Sequence, residues 1–151
     1  MFELELVQKD AIPVKVTKFF EFEACHKLDN NYSGPCERLH GHSYKLYVTV
    51  EGIPSKEVGM VIDFKVLKNI VNEIVIEKVD HYTLNEVMVT EFNMSSDQNT
   101  TCENMLIAFW VALDHEIAER AEGVKLVALK LYETSGSYAE LDRKMVYGGM
   151  E

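Results

Sequence analysis

The chain has 151 residues, of which 47% are hydrophobic and 26% charged, with three prolines and no low-complexity tract. This composition and length fit one globular domain, residues 1–151, which is large enough to bury a sizeable core without disulfide staples. The formal net charge of −10 argues against a nucleic-acid partner, because binding to a phosphate backbone requires a basic surface.

The sequence also predicts the cellular location of the protein. No apolar run approaches the ~20 residues of a membrane span, and the first residues lack the basic and apolar regions of a secretion signal. The three cysteines, Cys25, Cys36 and Cys102, are odd in number and widely spaced, which argues against a disulfide framework. We therefore expect a cytoplasmic protein with no membrane partner. A small anionic substrate is not excluded, because a metal ion and a few local cations can reverse the field inside a pocket.

The first half of the chain predicts two long strands. Residues 1–12 are expected to form an N-terminal extension or an edge strand. Residues 14–26 alternate well enough to form a long strand, and residues 42–51 form a second one with apolar side chains on one face. The loop between them contains turn-forming residues at 29–35. Two long strands joined by one loop predict an antiparallel pair.

The middle of the chain predicts two helices. The first is expected to begin after Asp63 as the N-cap and to end near Val79. The second is expected to begin with a capping box formed by Thr100 and Glu103, and to end near Gly123.

Two further strands are predicted at the end, over residues 124–132 and 137–147. The order β-β-α-α-β-β, with strands at both ends, is that of an α+β domain. We expect an antiparallel four-stranded sheet with two helices on one face.

Histidines suggest a metal site at the junction of the first two strands. The segment from Cys36 reads C-E-R-L-H-G-H, and His26 lies fourteen residues before His40. Because side chains alternate along a strand, His40 and His42 point to the same face, and the antiparallel pairing brings His26 close to both. Three imidazoles with an open fourth position are typical of catalytic zinc. The alternative to a metal site is that His40 and His42 are an ordinary pair of strand residues that faces water.

Six short segments together form a more specific pattern than this cluster alone. They are F-E-F-E-A-C-H ending at residue 26, C-E-R-L-H-G-H at 36–42, G-M-V-I-D-F at 59–64, D-H-Y-T-L-N at 80–85, T-C-E-N at 101–104 and L-Y-E-T at 131–134. In this order they resemble the 6-pyruvoyltetrahydropterin synthase / 6-carboxytetrahydropterin synthase family. The resemblance extends from about Phe19 to about Tyr138.

The resemblance implies a fold, an assembly and a cofactor. The fold is the tunnelling fold (T-fold), in which subunit sheets join into a barrel, commonly in a homohexamer built as a dimer of trimers. Zn²⁺ is held by His26, His40 and His42, and the active sites lie at subunit interfaces. The implied substrate is 7,8-dihydroneopterin triphosphate, a small-molecule pterin triphosphate.

Catalytic roles follow from the same resemblance. Zinc can ligate the side-chain oxygens of the substrate, acidify the adjacent C–H and stabilise the resulting charge. Cys36 is the candidate base, since positive charge lowers the pKa of a thiol from its isolated value near ~8.5. Asp80 and His81 are the second proton-transfer pair, with the carboxylate orienting the imidazole. The simpler interpretations are that Cys36 is an inert buried cysteine and that Asp80 and His81 lie in a solvated turn.

Substrate-binding residues are also implied. Glu133 matches the anchor of the pterin ring, because a carboxylate accepts two hydrogen bonds from the amino-pyrimidinone edge. Thr101 and Glu103 match a segment that also contacts the pterin, although capping of the second helix by Thr100 and Glu103 would explain them without a ligand.

The product depends on one departure from the family pattern. Glu37 follows Cys36, and in some relatives a glutamate near this position replaces the cysteine and cleaves the side chain to a 6-hydroxymethyl-dihydropterin for folate synthesis. Glu37 is thus a possible second base or a solvated loop residue. The preferred function is a 6-carboxy-5,6,7,8-tetrahydropterin synthase of queuosine biosynthesis. The alternatives are a 6-pyruvoyltetrahydropterin synthase, the folate-branch cleavage, and a non-catalytic pterin- or metal-binding module.

Overall fold

A computed structural model describes residues 11–149 of the chain. The expected N-terminal extension or edge strand falls on residues 1–12, so that most of it lies outside the described residues. Residues 11–13 are not part of a strand. Within the described range, no helix combines the length and the apolar character that crossing a membrane demands.

One four-stranded antiparallel sheet forms the framework, as predicted. Its strands are β1 (Val14–His26), β2 (His40–Gly52), β3 (Lys125–Thr134) and β4 (Ser137–Asp142), and they lie side by side in chain order. Strand β1 has the predicted bounds, whereas β2 begins two residues earlier than expected because His40 and Gly41 already pair with β1.

The two predicted helices pack on one face of this sheet. Helix α1 (Phe64–Val71) begins where the Asp63 side chain accepts a hydrogen bond from the backbone N–H of Lys65. It continues through π-type turns (Asn72–Ile76) and a last turn (Glu77–Val79), and so ends where predicted.

Two short helices were not predicted. Helix α2 (Leu84–Thr90) has only seven residues, and its periodic pattern is therefore too short to recognise. Helix α4 (Arg143–Tyr147) replaces the second half of the predicted fourth strand. The strand ends at Asp142 because its side chain accepts a hydrogen bond from Met145 N and so caps a helix.

The long helix differs from the prediction in its capping residue and in its last residue. Helix α3 (Cys102–Arg120) is capped by Thr101, whose side chain accepts from Asn104 N at 3.2 Å, and not by Thr100 with Glu103. The helix ends at Arg120, three residues before Gly123.

The core fills the space between the helices and one face of the sheet, and it continues up to the histidine cluster. Phe22 stacks on Tyr44 with ring centroids 4.9 Å apart and meets Phe109 of α3 edge-on at 6.4 Å. Tyr44 is fully buried and lies next to His26 and His42. The metal-binding candidates are therefore an extension of the packed core.

The other face of the sheet carries a row of aromatic rings. Phe19, Tyr47, Tyr132 and Tyr138 come from the four strands in turn, with successive centroids 5.5, 5.6 and 4.5 Å apart. Phe19 is 56% exposed and Tyr138 50% exposed. The row is thus an open aromatic surface.

Candidate metal centre and active site

The register of β1 and β2 brings the three histidines together. His26 is paired directly with His40, and Ala24 is paired with His42. The ring centroids are 4.7 Å apart for His26 and His40, 4.8 Å for His40 and His42, and 5.2 Å for His26 and His42. One ligand atom from each ring lies within 4.8 Å of the other two, so the three side chains can hold one metal ion.

Backbone carbonyls orient two of these rings. His26 is fully buried, and its Nδ1 donates to the carbonyl of Thr100 at 2.9 Å, with the Thr100 hydroxyl at 3.1 Å. His40 Nδ1 donates to the carbonyl of Arg38 at 2.7 Å. Because these bonds occupy Nδ1, the lone pair of each ring is on Nε2, as is usual for metal-binding histidines. In His26 this atom lies 3.5 Å from the Tyr44 hydroxyl. Thr100 was expected only as a helix cap, and no pattern in the sequence predicted this contact.

Electrostatics favour the neutral form of the imidazoles. Burial lowers the pKa of His26 and that of His42 below the usual range, and the neighbouring imidazoles lower them further. Burial also raises the pKa of Tyr44, so its hydroxyl stays protonated 3.5 Å from His26 Nε2. Neutral imidazole is the form that binds a metal.

A carboxylate on β3 reaches the same cluster. Glu133 Oε1 lies 3.5 Å from His26 Nε2 and 3.4 Å from His42 Nε2. His42 Nε2 is buried and has no hydrogen-bond partner. A buried nitrogen without a partner is costly unless something binds it, and a metal ion held by three neutral imidazoles satisfies that demand. The residues present therefore fit a metal.

Asp80 and His81 touch each other, although adjacent side chains seldom do. His81 has a backbone φ of 65°, and this left-handed conformation lets its Nδ1 approach Asp80 Oδ2 at 3.0 Å. The pair is fixed to the edge of β1 by Glu23, whose N–H donates to Asp80 Oδ1 at 2.9 Å and whose carbonyl accepts from His81 N at 2.6 Å. A strained conformation held from both sides is typical of functional sites.

An open cavity of about 410 Å³ is bordered by both His42 and His81. Three segments line it: residues 23–25 of β1, residues 41–43 of β2, which include His42, and residues 81–83, which include His81. The His81 side chain is 78% exposed. One cavity therefore borders a candidate metal ligand and a candidate proton-transfer group.

The hydrogen bond from Glu23 N to Asp80 yields a pH prediction. It lowers the pKa of Asp80, and the contact with His81 lowers it further. The stabilisation is therefore complete above the usual aspartate pKa of about 3.9 and is lost as the pH falls through the lower folded value. We expect Asp80→Asn to lower the free energy of unfolding by no more than about 1 kcal/mol at neutral pH, since the group is largely exposed.

Urea unfolding of both proteins from neutral pH to below the normal aspartate range measures this dependence. The difference between wild type and variant should vanish in acid, because protonated Asp80 resembles asparagine. A difference that grows as the pH falls would contradict the assignment.

Cys36 lies in a short 3-10 turn (Pro35–Glu37) between β1 and β2 and is half-buried. A hydrogen bond with Cys36 raises the pKa of Tyr32 above the usual range. The Tyr32 hydroxyl therefore stays protonated next to the sulfur of Cys36. Tyr32 also covers Gly34, since a Cβ at that position would come within 2.7 Å of its hydroxyl oxygen. The sequence analysis missed Tyr32 because a tyrosine in a polar loop has no distinctive signal.

The other cysteines differ from Cys36. Cys25 lies between Ala24 and His26 on β1, so its side chain projects to the opposite face of the sheet from the histidines, with its sulfur 3.5 Å from Thr83 Oγ1. Burial raises the pKa of Cys102 to about 12, so that its thiol stays protonated. The candidate substrate residues near α3 are less distinctive, because the Thr101 hydroxyl caps the helix, and Glu103 is exposed in its first turn. Glu37 is also exposed.

Comparison with known proteins agrees with this geometry. A sequence profile described as 6-pyruvoyl tetrahydropterin synthase matches residues 15–144. A protein of Haemophilus influenzae named 6-carboxy-5,6,7,8-tetrahydropterin synthase is 31% identical over 142 residues, covering 83% of this chain and 96% of that protein.

Solved structures show the same fold. The 6-pyruvoyl tetrahydropterin synthase of Caenorhabditis elegans superimposes with a TM-score of 0.73 at 23% identity, covering 87% of this chain and 96% of that one. A 6-pyruvoyltetrahydropterin synthase of Plasmodium vivax, in which a glutamate described as a catalytic residue is replaced by cysteine, superimposes with a TM-score of 0.64 at 17% identity, covering 87% and 98%. The chain belongs to the 6-pyruvoyl tetrahydropterin synthase family, whose T-fold it shares.

Proposed function

We propose that this protein is a zinc-dependent lyase that converts 7,8-dihydroneopterin triphosphate to 6-carboxy-5,6,7,8-tetrahydropterin. The observation that carries the proposal is the histidine cluster, in which His26 and His40 have their lone pairs on Nε2 and the buried Nε2 of His42 has no hydrogen-bond partner. The preference for the carboxy product follows the name of the Haemophilus influenzae relative. The match to this chain covers 96% of that protein. Work in the cytoplasm, in queuosine biosynthesis, is part of the same proposal.

In the proposed reaction, residues of this chain bind the metal, transfer protons and orient the substrate. When bound by the three histidines, zinc supplies a Lewis acid next to the hydroxylated side chain of the substrate. Cys36 removes a proton from that side chain, and the Tyr32 hydroxyl forms a hydrogen bond with Cys36. Glu133 accepts hydrogen bonds from the pterin ring, which fixes the orientation of the substrate. Thr101 and Glu103 belong to the segment proposed to contact the ring.

Asp80 and His81 form the second proton-transfer group. The Asp80 carboxylate accepts from His81 Nδ1, and this leaves His81 Nε2 free to exchange a proton with the substrate. Glu23 holds both residues in place through its backbone N–H and carbonyl.

A second candidate reaction involves Glu37. This residue follows Cys36, is exposed, and would cleave the side chain to a 6-hydroxymethyl-dihydropterin if it acted as the base. The Plasmodium vivax protein in which a glutamate is described as a catalytic residue motivates this alternative. The 6-pyruvoyl product is the other alternative within the family.

Incubation of the purified, zinc-loaded protein with 7,8-dihydroneopterin triphosphate tests the function. Chromatography with mass spectrometry should show a carboxypterin together with acetaldehyde and triphosphate. A pyruvoylpterin or a hydroxymethylpterin as the main product would assign the chain to one of the alternatives. Absence of turnover while pterin or zinc still binds would favour a non-catalytic binding module and overturn the proposal.

The proposal includes assembly into a homohexamer, a dimer of trimers in which sheets join into a barrel. Two observations support assembly: β1 and β4 each pair with only one strand along most of their length, and the row of aromatic rings on the open face is exposed. Unpaired edges and exposed aromatic surface are costly unless another chain covers them.

Light scattering should report a multiple of the 17.3 kDa chain mass. Phe19→Asp places a charge within the aromatic row and should shift the population to smaller species. Ile107→Asp is the matched control, since Ile107 on α3 has the same 56% exposure as Phe19. A 17.3 kDa monomer that is active at high dilution would refute assembly.

A further inference from the structure

Glu133 lies close to two of the three clustered histidines. Its Oε1 is 3.5 Å from His26 Nε2 and 3.4 Å from His42 Nε2. The contact with His42 is not a hydrogen bond, since that nitrogen is buried without a hydrogen-bond partner. Within residues 11–149, the structure records no lysine or arginine in an ion pair with Glu133. The carboxylate thus points at buried nitrogen atoms with no side-chain cation to compensate its charge.

The two distances match those between two ligands of one metal ion. Hydrogen bonds between nitrogen and oxygen span about 2.7–3.2 Å, which is shorter than either contact. Zinc holds nitrogen at about 2.0–2.1 Å and carboxylate oxygen at about 2.0–2.2 Å, and tetrahedral angles then place the two ligand atoms about 3.3–3.5 Å apart. Glu133 Oε1 therefore lies at the separation expected of a fellow ligand from both His26 and His42.

We propose that the Glu133 carboxylate is the fourth protein ligand of the metal in the substrate-free protein. The donor set is then three imidazole nitrogens from β1 and β2 and one carboxylate oxygen from β3, all of which zinc accepts. The group of ligand atoms that lie within 4.8 Å of one another comprises the three histidines without Glu133, so the carboxylate completes the set by moving towards His40 when the metal binds. The carboxylate also offsets one of the two charges of the ion. One part rests on the proposed function: the carboxylate leaves this position when it turns to the pterin ring, which opens the site for substrate.

Chelator competition measures the first consequence. Metal-free wild type, Glu133→Gln and Glu140→Gln are titrated with zinc against a chromogenic chelator. We expect Glu133→Gln to weaken zinc binding on the order of 10–100-fold, the range seen when a group that supports a metal site is removed. Glu140→Gln is the control, because it removes the same charge from the adjacent strand, where Glu140 faces Lys130 at 3.9 Å. Unchanged zinc affinity in Glu133→Gln would overturn the proposal.

Cobalt substitution distinguishes coordination from simple attraction between charges. Glu133→Asp keeps the charge but withdraws the carboxylate by one methylene, so a ligand role predicts weaker metal binding and an altered visible spectrum of the Co²⁺ protein. A purely electrostatic role predicts that Glu133→Asp behaves like wild type, and this result would contradict the proposal. Circular dichroism of each metal-free variant checks that the fold is intact.

Addition of 7,8-dihydroneopterin, which lacks the triphosphate, separates this inference from the proposed function. In the wild-type Co²⁺ protein it should change the visible spectrum, because the carboxylate leaves the metal. If Glu133→Gln binds zinc weakly but 7,8-dihydroneopterin does not bind to the wild-type protein, the ligand role is supported while the proposed function fails. If 7,8-dihydroneopterin binds to the wild-type protein but Glu133→Gln keeps wild-type zinc affinity, the function is supported while the ligand role fails.

Discussion

His40→Ala should remove most of the bound zinc and all turnover while leaving the fold largely intact. His40 is the first residue of β2, is only half-buried, and is held by the carbonyl of Arg38. Its loss therefore removes a metal-binding nitrogen without opening a cavity in the core. The fall in zinc affinity should exceed the roughly 10–100-fold that follows loss of a merely supporting contact. Elemental analysis of the purified variant measures the metal, and circular dichroism measures the fold.

His115→Ala is the matched control for that experiment. His115 is exposed on helix α3 and lies outside the histidine cluster. This variant should keep stoichiometric zinc and wild-type turnover. Stoichiometric zinc in His40→Ala would show that the ligand assignment is wrong.

Cys36→Ala should lose turnover to the carboxy product but keep both zinc and pterin binding. The base is separate from the metal ligands in the proposed mechanism, and general-base catalysis typically contributes about 10²–10⁴-fold. Steady-state assays with 7,8-dihydroneopterin triphosphate give the loss, and calorimetry with 7,8-dihydroneopterin checks binding. Full synthase activity in this variant would exclude Cys36 as the base.

Glu37 is tested in the same background. Residual cleavage to a hydroxymethylpterin in Cys36→Ala, abolished in the double variant with Glu37→Gln, would show that the glutamate acts as a second base. Cys25→Ala is the matched thiol control, because Cys25 projects to the opposite face of the sheet from the histidines. Its turnover should remain at the wild-type level.

Much of the framework could be predicted because it depends on long, regular patterns. The alternation over residues 14–26 defined β1 to the residue, and the antiparallel pairing with β2 placed His26 opposite His40. The Asp63 cap and the end of the first helical segment at Val79 were also correct. These features are local, or they follow from one strand pairing.

The remaining details depend on single contacts between distant segments. Thr100 holds His26 from a point 74 residues away, which no periodicity indicates. The contact between Asp80 and His81 requires the left-handed backbone of His81, a conformation that histidine seldom adopts. Helix α4 interrupts an apolar alternation that is compatible with a strand, and only the capping bond of Asp142 decides between them.

The attachment of residues 81–83 to β1 limits how a neighbouring chain can extend the sheet. Glu23 and Cys25 already use their outward backbone groups to bind Asp80, His81 and Tyr82. An added strand can therefore pair only with residues 14–22 of β1, nine positions or about 30 Å. Strand β4 has six residues and fits within that length. Residues 80–83 therefore block strand addition along the last part of β1, so that an added strand ends before it reaches His26.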